Sequence, residues 1–166
     1  MAVEEKVRSF GPVAGARDAI VELINRSCRF LDQNRFENWL ELFADQGRYR
    51  VQTAENVDAG YDFNLILLEG KAQMAEWIGV ITNFHQAEPS RTIHVLSGQD
   101  IEFIGEDEAL SWTGFAAFRT ATDGISQLFC VGEYHDKLVR VAARWLIQSR
   151  EVLLHTSTVT GILQVI

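Results

Sequence analysis

Apolar residues recur at helical spacing from Ala16 to Leu31, where Ile20, Leu23, Ile24 and Leu31 share one side and Arg17, Glu22, Arg26 and Arg29 fill much of the other. A first amphipathic helix follows from that pattern. Asn34 precedes Phe36, Trp39, Leu40 and Phe43, with Glu37 three residues after it in the spacing of a reciprocal N-terminal cap. This predicts a short second helix whose aromatic stripe is a core face. After Asp45-Gln46-Gly47, the weak alternation of Arg48-Tyr49-Arg50-Val51-Gln52 predicts a strand ending near Thr53. Residues 54–69, with Gly60 and Tyr61 among them, read as an irregular connection, long enough to be a contact or lid segment. Helical spacing returns from Lys71 to Phe84 through Met74, Trp77, Ile78 and Ile81, and Pro89 stops it.

From Arg91 onward β-branched and aromatic residues predominate, cut by turn signals at Gly105-Glu106-Asp107, Asp123-Gly124 and Val141-Ala142-Ala143. Four long strands are expected. Asp123-Gly124 between Thr122 and Ile125 is a two-residue hairpin signature, since both central residues of such a turn take positive φ. Leu110–Arg119 then pairs with Gln127–Arg140, and Trp145–Leu154 adds the next strand. Helices ahead of an antiparallel meander give the α+β class, with the helices packed into one face of a curved antiparallel sheet. Residues 1–15 read as a flexible N-terminal segment and 16–166 as one domain without an internal repeat.

Composition narrows the function classes. A chain of 166 residues, 47% apolar and 23% charged, is an ordinary globular protein. Its net charge of -8, from 15 basic and 23 acidic residues, supplies no basic surface for nucleic acid or anionic lipid. No apolar run exceeds four residues, as in Leu65-Ile66-Leu67-Leu68, far short of the ~20 residues that span a bilayer. Glu4, Glu5, Lys6 and Arg8 stand where a signal peptide needs an apolar core, so the expectation is a cytoplasmic protein.

The chemistry-bearing residues are sparse. His85, His94, His135 and His155 lack the spacing that brings two imidazoles to one metal, and Cys28 and Cys130 form no CxxC. An iron–sulfur cluster needs four Cys, or two Cys with two His, which the distant Cys28 and Cys130 do not supply, and no glycine-rich phosphate loop or GxSxG elbow is present. No catalytic, cofactor-binding or metal-binding residue is assigned. Glu133 and His135 lie on one face of a strand and are placed to share a hydrogen bond.

Several segments carry a resemblance. Phe30-Leu31-Asp32-Gln33-Asn34-Arg35-Phe36-Glu37-Asn38-Trp39-Leu40-Glu41-Leu42-Phe43 resembles the first helical hairpin of the cone-shaped nuclear-transport-factor-2-like fold. Pro89-Ser90-Arg91-Thr92-Ile93-His94-Val95-Leu96-Ser97 is similar to the start of the first long strand in one branch of that fold, the small (β) subunits of aromatic-ring-hydroxylating dioxygenases. Phe118-Arg119-Thr120, the run Val131 to Arg140, Trp145-Leu146-Ile147 and Arg150 to Leu154 support it, and Thr156 to Thr160 resembles endings among subunits of aromatic carboxylate hydroxylases. The sequence departs from that pattern at Ile93, where a second basic residue is common, and around Asn56 to Phe63.

The resemblance implies an α3β3 hexamer in which a large (α) oxygenase subunit carries a Rieske [2Fe–2S] cluster and a mononuclear non-haem Fe(II), with NADH electrons arriving through a reductase, sometimes with a ferredoxin. This chain would be a non-catalytic support forming a homotrimer, and Arg91, His94 and Arg119 would be the strand residues at subunit contacts or satisfied inside the cone. A stand-alone isomerase or dehydratase of the same fold is the alternative, with Tyr49, His94 and Trp112 as pocket residues; a ligand-binding protein is a third. In such isomerases the aspartate base falls near Val51 here, which takes no proton.

Overall fold

The computed structural model describes residues 14–87 and 89–157, without the side chains of 84–87, so nearly all of the segment expected to be flexible and the tail from Thr158 lie outside it. The elements run α1 (Ala16–Asp32), α2 (Phe36–Leu40), β1 (Phe43–Thr53), α3 (Ala54–Asp58), β2 (Ile66–Glu69), α4 (Gly70–Ala87), β3 (Arg91–Leu96), β4 (Asp100–Phe103), β5 (Glu108–Thr120), β6 (Ser126–Val141) and β7 (Arg144–Leu154). No helix among the described residues is long and apolar enough to cross a membrane.

α1 buries Ile20, Leu23, Ile24 and Leu31, as the spacing predicts, and turns Ser27 and Cys28 to the same side. Its end is a correction. Asn34 does not cap α2; it takes φ 55°, its N–H donates to the Leu31 carbonyl and the Arg35 N–H donates to that of Phe30. Those paired bonds close a helix C-terminus around a left-handed residue, a conformation asparagine tolerates. α2 is left with no side-chain cap and ends at Leu40. Phe43 already belongs to β1, where its ring tilts against Trp39 at 4.6 Å. Asp45-Gln46-Gly47, after which the strand was expected to begin, instead form a bulge inside β1, because pairing with β7 resumes at Arg48.

Residues 54–69 are more ordered than expected. The Thr53 hydroxyl accepts from the Asn56 N–H to open α3, and β2 pairs antiparallel with β1. The continuous apolar run concealed the strand: Ile66 and Leu68 are buried while Leu67 and Glu69 face out.

The strand order is β2-β1-β7-β6-β5-β3, with β4 also on β5. The sheet is mixed, since β1 and β7 run parallel. A tight turn imposes antiparallel pairing only on consecutive strands, and most of the chain separates these two. Five strands follow Arg91 instead of four long ones, because a break at 97–99 divides the first into β3 and β4, which pair with successive stretches of β5. The β5–β6 hairpin closes through three residues: the Gly124 N–H donates to Ala121, the Ala121 N–H to Ile125, and Gly124 takes φ 82° while Asp123 keeps a negative φ. A two-residue turn occurs at Ala142-Ala143, both at positive φ, between paired Val141 and Arg144.

Alternation sends one residue in two from each long strand toward the helices. α1 lies against β3 and β7, and α4 against β1 and β2, so one buried cluster runs from Ile20 and Trp39 through Met74 and Ile81 to Leu138 and Ile147.

Candidate functional site

The same alternation brings charged and polar groups into that core. Tyr134 and Asp136 on β6 and Arg150 on β7 point inward, opposite Ser27 and Cys28 of α1. Arg150 donates from Nε to Asp136 Oδ1 at 2.8 Å, from Nη2 to Oδ2 at 2.7 Å, and from Nη1 to the Ser27 hydroxyl at 2.9 Å. The Ser27 hydroxyl in turn donates a hydrogen bond to the Ile24 carbonyl. The guanidinium stacks over the Tyr134 ring at 4.3 Å, and Tyr134 stacks on Phe115 at 4.3 Å.

Electrostatically the set is closed. Burial opposes the charge of Arg150, but Asp136 outweighs it, so the guanidinium holds its proton more firmly than an ordinary arginine. Burial pushes the Tyr134 hydroxyl well above its usual range and the Cys28 thiol up to about 11. Neither is a poised acid, base or nucleophile near neutral pH. Arg150 and Tyr134 are 0% exposed, so no space on them admits even a water-sized group.

A second polar pair joins α1 to the sheet edge. Asp32 accepts the His94 backbone N–H at 3.1 Å through Oδ2 and meets the ring Nδ1 at 2.6 Å through Oδ1. The ring's other nitrogen, Nε2, is buried and has no hydrogen-bond partner among the described residues. The ring lies 6.1 Å from that of Phe115, which connects the two groups.

The five residues singled out from the sequence do not form one site. His94 belongs to the inner group. Tyr49 is fully buried among Trp39 and Phe43 as a core residue, with Trp39 edge-on at 5.4 Å. Trp112 faces out from β5, so it lines no interior pocket with Tyr49 and His94: adjacent strand positions share a face only at even spacing, and Trp112 lies between inward Ser111 and Thr113. Arg91 and Arg119 lie at the same end of β3 and β5 but on opposite faces, since Arg91 pairs with Thr120 and Thr92 with Arg119, and Arg119 stacks over Phe129 at 3.9 Å. Sequence reasoning missed Asp32, Ser27, Tyr134, Asp136 and Arg150. The available signal was a charge at an inward position, Arg150 between Ile147 and Val152 and Asp136 between Tyr134 and Leu138.

Outside, Glu133 and His135 share the expected hydrogen bond at 2.8 Å, and His155 approaches the other carboxylate oxygen of Glu133 at 3.6 Å. No group of three or more His, Cys, Asp or Glu among the described residues is arranged to hold a metal ion. A cavity of about 250 Å³ lies on the surface beside Arg119, Asp123, Ile125, Leu128 and Phe129, and one of about 590 Å³ beside Asn34, Arg91 and Thr120.

Comparison with known proteins places this architecture. The chain is 24% identical over 144 residues to the anthranilate 1,2-dioxygenase small subunit of Burkholderia cepacia, covering 87% of this chain and 89% of that one. It is 25% identical over 133 residues, 80% of this chain and 86% of the other, to a β subunit of the terephthalate 1,2-dioxygenase terminal oxygenase component of a Comamonas species. Among solved structures, the β subunit of a candidate aromatic-ring-hydroxylating dioxygenase from Novosphingobium aromaticivorans superposes with a TM-score of 0.80 at 23% identity, covering 90% of this chain and 95% of that one. A candidate scytalone dehydratase from the same organism superposes with a TM-score of 0.67 at 23% identity and 87% coverage of both. The fold is the nuclear-transport-factor-2-like cone. Residues 13–151 match the SnoaL-like domain, and with helices and sheet closing around a shared core as described, the chain belongs to the SnoaL-like domain family.

Proposed function

We propose that this chain is the non-catalytic small (β) subunit of a ring-hydroxylating oxygenase of aromatic hydrocarbon or aromatic acid catabolism. It supports a large subunit that holds the Rieske cluster and the mononuclear iron in a cytoplasmic α3β3 assembly. The observation that carries this reading is the filled interior: Arg150, Asp136, Ser27, Tyr134 and Phe115 saturate one another where an enzyme of this shape needs room for substrate. The similarity to small subunits of aromatic dioxygenases over most of both chains supports it from a separate direction. The described donors do not fit an iron or cluster site, so both iron centres fall to the partner, and NADH electrons reach them without passing through this chain. Co-expression with an adjacently encoded large subunit bearing CxH…CxxH cluster ligands tests the assignment. A stoichiometric complex is expected, with the isolated chain colourless and iron-free; failure to associate with any such large chain sinks the proposal.

One observation favours a stand-alone isomerase or dehydratase instead. The His94–Asp32 pair, with Nε2 buried and unpartnered, is the arrangement of a base oriented by a carboxylate. On this reading the purified chain alone turns over a small substrate and loses that activity on His94→Ala; unchanged turnover in that variant rejects it.

A further inference from the structure

The cleft of about 590 Å³ lies where three parts of the chain meet: the α1–α2 corner at Asn34, the entry to β3 at Ser90 and Arg91, and the β5–β6 hairpin tip at Ala121 and Thr122. The inner network uses none of these residues. Backbone bonds hold all three walls. Arg91 pairs in register with Thr120, the Gly124 N–H donates to Ala121 and the Ala121 N–H to Ile125, and the Asn34 N–H is fixed on the Leu31 carbonyl. The volume is that of a small-molecule site, and such sites combine apolar wall with a few convergent polar groups.

Among the described residues Arg91 is the one charged side chain on this cleft. In a chain with 15 basic and 23 acidic residues, carboxylates claim most cations: Arg48, Arg50, Lys71, Lys137, Arg140 and Arg150 each lie within 4.0 Å of one. Arg91 reaches none among the described residues. The acidic groups closest in sequence to the cleft walls are engaged elsewhere. Asp32 spends both oxygens on His94, and Asp123 accepts from the Ile125 N–H. The C-terminus of α1 adds little negative potential, because the Asn34 and Arg35 N–H groups cover the Leu31 and Phe30 carbonyls. The other walls are neutral and of two kinds. Ser90, Thr122 and Asn34 bring hydroxyl and amide groups; Pro89 and Ala121 bring apolar surface.

A guanidinium without a carboxylate is matched at two points by a carboxylate brought to it, and neutral donors beside it complete the oxygen lone pairs. An inorganic anion would satisfy the arginine and leave the apolar wall wet. We propose that this cleft binds a small organic acid, its carboxylate on Arg91 and its apolar body against Pro89 and Ala121. The inference goes beyond the subunit reading and does not depend on it, since every group it uses belongs to this chain.

The test titrates the isotope-labelled full chain with benzoate and follows its backbone amides by NMR. Benzamide keeps the ring and lacks the charge, acetate keeps the charge and lacks the ring, and inorganic phosphate is an oxyanion with no apolar body. Benzoate should shift the Arg91, Thr122 and Gly124 amides along one saturable curve, with the other three binding at least about tenfold more weakly. Arg91→Gln should weaken benzoate by about tenfold and leave benzamide unchanged, because only the charged partner is lost. Ala121→Glu sets a carboxylate on the wall and should abolish benzoate binding, whereas Ala121→Gln should keep it. Arg91 and Ala121 are exposed, and unshifted amides in β6 and β7 verify the fold of each variant. If Arg91→Gln does not fold, the Ala121 pair decides. Shifts that do not saturate, benzamide or phosphate binding as tightly as benzoate, or full benzoate affinity in Arg91→Gln or Ala121→Glu overturns the inference.

Discussion

Asp136 and Arg150 face each other in register across β6 and β7 and close a two-point ion pair that is wholly shielded from solvent. A third bond from Arg150 to Ser27 ties that strand pair to α1. The network joins the two layers of the cone at its centre.

Removing one partner leaves a buried charge uncompensated. Asp136→Asn should lower stability by roughly 3–5 kcal/mol, read as a reduced urea midpoint at unchanged slope. Replacing both at once, Asp136→Leu with Arg150→Met, should cost less than either single change, since no charge is then stranded. A single variant with the native midpoint would show that the pair contributes nothing.

The two thiols set an alkaline limit. Burial raises Cys28 from its ordinary 9.0 to about 11 and Cys130 to about 12. Above pH 9 the unfolded chain releases thiol protons that the folded chain retains, so the unfolded state gains and stability falls as pH rises toward those values. Below pH 9 these groups contribute no pH dependence. Equilibrium unfolding from pH 7 to 11 checks the sign, and Cys28→Ala should flatten the alkaline decline. Neither thiol should react with a disulfide reagent at pH 8 until denaturant is added.

Glycine is required at one strand position and optional at another. A Cβ on Gly132 would lie 2.4 Å from the Leu153 carbonyl oxygen, which is backbone of the paired strand and cannot move aside alone. On Gly114 it would meet the Ser97 hydroxyl at 3.0 Å, a side chain able to turn. Gly132→Ala should therefore lower the thermal midpoint sharply and Gly114→Ala only slightly. Equal effects would contradict the close approach of β6 and β7.

The Ala142-Ala143 turn holds two alanines at φ 47° and 64°, the left-handed region that costs an L-residue about 1–2 kcal/mol. Ala142→Asn with Ala143→Gly supplies the residues that such a turn prefers, and stability should rise by about 1 kcal/mol. Calorimetry would show this as a higher midpoint. A lower one would mean that the turn is not of this kind.

The elements legible in the chain are those whose signal is local. α1, α4, β5, β6 and β7 announce themselves because a period of 3.6 or 2 repeats often enough within each to exceed its interruptions. The Glu133–His135 bond was legible for the same reason, two residues apart on one strand. β2 was not, because a strand of four residues inside an unbroken apolar run shows no alternation. Asn34 was misread because asparagine serves a helix start and a helix end equally well. Which role it takes depended on where α1 stopped, and Phe43 was drawn into a helix for want of the β7 strand that claims it.

By itself, then, the sequence determined the α+β class, the order of the long elements and the poverty of metal-binding residues, all consequences of composition and short-range spacing. Tertiary structure alone decided that β1 runs parallel to β7, that Arg150 meets Asp136 14 positions away and Ser27 123 positions away, and that Asp32 seals the edge at His94. Trp112 went to the outer surface and Tyr49 to the core by the same process. No local pattern carries a contact between distant segments. It exists only once the helices have been laid into the sheet, when a buried charge must find its counterpart or the fold does not close.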